Sequence, residues 1–232
     1  MSGSDALRRI EIFDRAVVVP VLALLAHTVH PALDSRSARE QQLATAVAES
    51  DLTDGVQLGG GPARSRFQVE DRTLALIGGW LLDRDDAEGW LDAIEEVLPG
   101  WIAPLPRPGE ADWHTLPGSP AGLHDHLAHN DFLGAVMARA LYWSIPHPLP
   151  ASGNWLGHAA YWKSYYNSPF GAGTPAKFLA RTAEVRRHFD PAEPPGETSG
   201  PSSARSSARS PSPRPADRRP ATSPGRPASA SS

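Results

Sequence analysis

Apolar side chains recur three and four positions apart over most of the chain up to Phe189, the spacing of helices that bury one face. The run Ala16–Ala26 predicts a buried helix started or kinked at Pro20. A second helix has the clearest start, because Ser37 followed by Glu40 forms a capping box ahead of Leu43, Ala44, Ala46 and Val47. It should end at Glu49 or Ser50. The glycine-rich segment after it alternates at Ser65, Phe67 and Val69, which predicts a short strand or tongue. Helical spacing returns at Leu74, Ile77, Leu81 and Leu82, and again at Trp90, Leu91, Ile94 and Val97. Gly100 to Gly122 reads as loop, with Trp101 and Trp113 as anchors. Phe132, Val136, Met137, Ala140 and Leu141 give a helix that must end before Pro146. A short helix follows over Leu156 to Tyr165. The last is capped by Thr174, has Pro175 in its first turn, and turns Phe178, Leu179 and Val185 inward.

There is no βαβ alternation and no internal repeat, so the fold class is mainly α. Composition divides the chain. Residues 1–190 suffice for one helical domain, whereas 191–232 hold Ser, Pro, Ala and Arg with scarcely a large apolar side chain and should be disordered. Arg205, Arg209, Arg214, Arg218, Arg219 and Arg226 make that tail mildly basic, which suits a solubilising extension, or contact with phosphate-rich polymers or a capsid partner. The absence of cysteine excludes disulfides and thiolate metal sites and leaves the redox compartment open. Arg8, Arg9 and Arg15 before the first apolar run resemble a secretory signal, but Glu11 and Asp14 lie beside it and His27, His30 and Pro31 follow where a cleavage site would need small residues. The run is also too short to span a bilayer.

Candidate chemistry centres on Glu49. A carboxylic acid at a helix end, beside a permissive loop and partly surrounded by Leu43, Ala44 and Val47, can hold its proton near neutral pH and donate it to a glycosidic oxygen. The alternative is a solvated helix-end residue. Gly59-Gly60-Gly61 lacks the lysine of a phosphate loop and serves either as a turn or as a close approach to a bound chain. Gln68 points either into the same cleft or out from a strand. His114, His124, His126 and His129, near Asp125 and Asp131, lack metal-binding spacing and fall to a loop and helix start. No Gly-x-Ser-x-Gly elbow supports a serine hydrolase. Trp155, Tyr161, Trp162, Tyr165 and Tyr166 either offer flat faces to sugar rings or build the core, and core is the default for rings of this size.

Several ordered motifs resemble lytic-transglycosylase-like proteins of tailed bacteriophages. They are Ala48-Glu49-Ser50, Gln57 to Ala63, Phe67-Gln68-Val69-Glu70, Ala138 to Tyr142, Pro146 to Pro150 and Ala160 to Thr174, and the resemblance spans Ala23 to Leu179. It implies a lysozyme-like helical domain with a small β-tongue or loop near the active site. It also implies cleavage of the β-1,4 bond between N-acetylmuramic acid and N-acetylglucosamine. The muramyl 6-hydroxyl closes on C1 and leaves a 1,6-anhydro sugar, with no metal or organic cofactor required. By the same resemblance Glu49 is the acid and then the base, Gln68 lines the cleft, Ser50 places the helix end, and Tyr166-Asn167 matches the family's Tyr-Asn element, with Tyr161 the other candidate for the tyrosine. Glu70, then Asp51 and Asp54, are the next candidates for the acid. The implied partners are peptidoglycan glycan strands and other virion proteins, with no specific nucleic acid and no stable membrane insertion. The implied setting is a phage virion acting in the host periplasm or cell wall, or a prophage product.

The chain departs from the family pattern at Ser65, Arg66 and Asp71. Arg64 and Arg66 are read either as ligands for acidic peptide stems or as a sign of drift from catalysis. The second functional expectation is therefore a non-catalytic virion or cell-wall-binding protein that keeps the fold.

Overall fold

Pro20 sets the geometry of the first helical run, which continues through a π bulge. In the computed structural model, α1 (Gly3–Phe13) runs into a π-helical turn, Asp14–Val18, and then into α2 (Val19–Thr28). Proline offers no N–H and its ring crowds the carbonyl four residues back, here Ala16, so the ladder slips and Val19 N–H bonds to Asp14 O. The slip leaves the Asp14 side chain fully buried. The structure describes residues 3–53, 55–57, 61–100, 105, 120–167 and 171–191, and these fall in one compact unit, Met1–Ala192. The expected disorder of 191–232 and the anchors Trp101 and Trp113 lie outside the described residues, apart from Pro191 itself.

α3 (Arg36–Ser50) is the central helix and packs against α1, α2 and the π turn. It is buried on almost every side although Glu40, Gln41, Gln42 and Thr45 lie within it, and Ala38, Ala44, Ala46 and Ala48 let its neighbours approach closely. Its cap is Ser35, whose Oγ accepts from Ala38 N at 3.1 Å, not Ser37. Ser37 instead donates to Pro150 O at 2.5 Å. Glu40 does not reach back to the helix start either, because its carboxylate accepts from Ser152 Oγ (2.9 Å), Gly153 N (2.8 Å), Arg36 Nε (2.9 Å) and His158 Nε2 (3.2 Å). Burial alone would raise this carboxyl, but those donors hold it below its ordinary value.

The helix ends where expected, at Ser50, with Asp51 left-handed at φ 52°. The segment after it folds on itself. Ser65 and Gln68 take positive φ, and antiparallel bridges join Val56 to Arg64 and Arg64 to Val69. Ser65, Phe67 and Val69 are buried as the alternation required, but the positive-φ turns between them stop a ladder, and no strand forms among the described residues. α4 (Asp71–Leu82), α5 (Ala87–Val97), α6 (Pro120–Leu127) and α7 (Asp131–Ser144) follow, so helix begins inside the stretch read as loop, at Pro120. On α7, Leu133, Val136, Met137 and Ala140 face the core while Phe132 is exposed. Gly134 admits the folded loop, since a Cβ there would lie 2.6 Å from Ser65 Oγ.

α8 (Trp155–Tyr165), α9 (Pro175–Arg181) and α10 (Ala183–Phe189) close the unit, and Thr174 caps α9 by accepting from Lys177 N. α10 returns to α1 and α3, where His188 Nε2 meets Asp14 Oδ2 at 2.6 Å and Arg39 Nε donates to Asp14 Oδ1 at 2.8 Å. The described residues thus form a mainly α-helical domain of ten α-helices. No described helix is long and apolar enough to cross a membrane.

Candidate functional site

Glu49 occupies the last turn of α3, where the helix stops supplying neighbours and α8 and α9 take over. Trp162 Nε1 donates to Glu49 Oε1 at 2.8 Å. Trp162 is itself buried, with its ring 5.0 Å from that of Phe178 on α9. Gly173 makes room for it: a Cβ at that position would lie 2.3 Å from the outer edge of the indole. These residues border a cleft of about 250 Å³ into which Asn167, Lys177 and Arg181 also face.

Burial pushes the Glu49 carboxyl up from 4.5 to about 7. The Trp162 indole and the charge of Arg181 work against that rise, and the charge of Glu70 adds to it. Arg181 is committed to Asp51 at 2.8 Å and so does not neutralise Glu49 directly. The result is a carboxyl that can hold its proton near neutral pH and, among the described residues, accepts one neutral hydrogen bond. Such a group can give a proton to a leaving oxygen and take one back.

The remaining sequence candidates divide between this cleft and its supports. Asn167 lines the cleft, its N–H bonded to Trp162 O at 3.0 Å and its Oδ1 accepting from Lys163 Nζ at 3.1 Å. The Tyr166 hydroxyl is raised far above its ordinary value by burial and then by the charges of Glu49 and Tyr142, so it stays neutral. It donates to Phe67 O at 2.7 Å and so fastens the folded loop to the end of α8. Ser50 is buried, and its Oγ lies 3.0 Å from Ala46 O and 2.9 Å from Arg66 O while accepting from Leu52 N at 3.2 Å. It ties the helix end to the same loop. Gln68 is half-buried and spans its own turn, Nε2 to Ser65 O at 2.8 Å, and does not line the Glu49 cleft. Tyr161 faces the other side of α8, donating to His147 O at 2.8 Å with its ring against Tyr142 and Tyr165.

The two arginines of the loop are used internally. Arg64 Nη1 donates to Gly61 O and Ala63 O, and Arg66 donates to Leu52 O and pairs with Asp131. Of the histidines, His124 contacts Pro62 O at 2.6 Å and Asp71 at 3.2 Å, and His114 lies outside the described residues. Trp155, Tyr161 and Trp162 are buried in the core, with Tyr165 and Tyr166 at its margin. Glu70, the alternative acid, is exposed at the start of α4. Sequence reasoning did not single out Trp162 as the Glu49 donor, nor Gly173, Lys177 and Arg181 as cleft residues. Only the aromatic cluster pointed toward that wall. No protein-family model, curated protein or solved structure matches the chain.

Proposed function

We propose that the protein is a peptidoglycan lytic transglycosylase with Glu49 as its acid and base, carried by a phage particle or encoded by a prophage. The observation that carries this reading is the Glu49 carboxyl, raised to about 7 by burial and opening on a cleft. In the proposed reaction Glu49 protonates the oxygen linking N-acetylmuramic acid to N-acetylglucosamine, and the C1–O bond breaks. The carboxylate then takes the proton of the muramyl 6-hydroxyl as that oxygen bonds to C1, which restores the acid and releases a 1,6-anhydro end. No second carboxylate is needed. Glu49 is the one carboxylate among the described residues lining the cleft, which supports this route over one with a paired nucleophile. Asn167 and Lys177 supply polar groups for the acetamido and hydroxyl substituents.

The sequence resemblance and the helical body support a lysozyme-like domain, with the folded residues 61–70 taking the place of its tongue. Digestion of purified sacculi with mass spectrometry of the released muropeptides tests the function. Anhydro-muropeptides are the expected product. Absence of both anhydro and reducing ends, from folded protein across a broad pH range, would overturn the reading and leave a wall-binding role.

A further inference from the structure

A second site stands at the opposite end of α3. Arg139, on the inner face of α7, is 2% exposed and forms no ion pair among the described residues. Its Nε donates to Leu33 O at 3.2 Å and its guanidinium lies 5.2 Å from the Trp143 ring centre. Three partly buried arginines have carboxylates, Arg39 with Asp14, Arg66 with Asp131 and Arg84 with Asp86, whereas the half-buried Arg64 is held by carbonyls and Arg139 is the most deeply buried arginine among the described residues. Burial pushes Arg139 down to about 10, opposed only by the hydroxyls of Tyr161 and Tyr142. It therefore remains a cation at neutral pH, and a buried cation without a counter-charge is costly to keep.

That guanidinium borders a cleft of about 500 Å³, walled by Tyr142 and Trp143, by the strap from Ile145 to Pro150, and by Ser35 and Ser37 at the start of α3. Among the described residues no Asp or Glu lines it. The N-terminus of α3 adds positive potential from the same side. The strap is fastened at two points, Ser37 Oγ to Pro150 O and Tyr161 Oη to His147 O, so the cleft is formed before anything enters it.

We propose that this cleft binds a small organic carboxylate, its acid group on the free edge of the Arg139 guanidinium and its apolar body between Trp143 and the prolines of the strap. A planar guanidinium matches a carboxylate through paired hydrogen bonds, and the apolar strap favours a hydrocarbon or aromatic body over a bare anion. Ser35 and Glu49 are separated by nearly the whole of α3, about 20 Å along the helix, so the site is distinct from the Glu49 cleft and does not depend on the proposed reaction.

Titration of the isotope-labelled full chain with 3-phenylpropionate, 3-phenylpropanamide and inorganic phosphate, followed by NMR, tests it. The acid should shift the Trp143 indole and the amides of Ser37 and Leu149 saturably. The neutral amide should bind at least tenfold more weakly and phosphate should not saturate these signals. Arg139→Met should weaken the acid at least tenfold, while Glu49→Gln leaves it unchanged. Equal binding of acid and amide, saturation of the same signals by phosphate, wild-type affinity in Arg139→Met, or no shift with the acid up to about 10 mM would each overturn the proposal. If Arg139→Met does not fold, the acid-against-amide comparison on the wild type decides alone.

Discussion

The Trp162 indole N–H donates to Glu49 Oε1 at 2.8 Å, and this hydrogen bond restrains the rise of a carboxyl governed first by burial. The donor is neutral, so it orients the acid without fixing its charge. An arginine in the same place would hold Glu49 ionised and unfit to donate.

Glu49→Gln should lower sacculus cleavage at least about 100-fold, the low end of what general acid catalysis contributes. Gln can still accept from Trp162, so folding should persist. Muropeptide release by variant and wild type, with circular dichroism as the folding control, checks this. Wild-type rates in the variant would remove Glu49 from the role and turn attention to Glu70.

Glu49 should also make stability depend on pH. Its folded value, about 7, lies above the 4.5 expected when unfolded, so the folded state binds the proton more tightly. The group costs nothing below about pH 4.5, and stability falls progressively as pH rises to about 7, by at most about 3 kcal/mol. Urea unfolding at stepped pH should show that fall in the wild type and lack it in Glu49→Gln. Identical slopes in the two proteins would mean that the carboxyl is not raised.

Trp162→Phe removes the donor but keeps an aromatic ring against Phe178. The acid should then titrate higher, and the alkaline limb of the pH–rate profile should move to higher pH. A profile with an unmoved alkaline limb would show that the indole does not tune the acid.

Gly173→Ala would push a methyl into the Trp162 ring edge, 2.3 Å away before any adjustment. We expect loss of most activity with little change in urea midpoint, because the turn lies at the surface of the cleft. Unchanged cleavage would show that the ring has slack.

Asp14→Ala strips the carboxylate from Arg39 and His188 at a fully buried position. Arg39 keeps about a third of its side chain in water, so losing the shared carboxylate should cost about 1–3 kcal/mol. Chemical denaturation that moved by less than 1 kcal/mol would show that the cluster is dispensable.

Local chemistry explains what could be read from the sequence. Thr174-Pro175 marks the start of α9 because cap and proline act within one turn, and the end of α3 is legible because its apolar spacing stops there. The start of α3 is ambiguous in sequence because Ser35 and Ser37 both suit a cap, and the Glu three residues after Ser37 favours the one that does not cap. What draws Glu40 inward is the turn at Ser152 and Gly153, more than a hundred positions away. The Glu49–Trp162 pair likewise joins residues 113 apart, and no periodicity within either helix encodes it. The alternation at Ser65, Phe67 and Val69 correctly marked which side chains are buried. It could not reveal that positive φ at Ser65 and Gln68 coils the segment.

The cluster at Asp14 has a consequence for synthesis of the chain. Asp14 belongs to the first helical run, yet His188, one of its partners, lies in α10. While the chain is still emerging from the ribosome, this nascent helical run can enlist Arg39 but not His188, and α1 lacks the surface that α10 supplies. Native closure must therefore wait until Phe189 has cleared the exit tunnel.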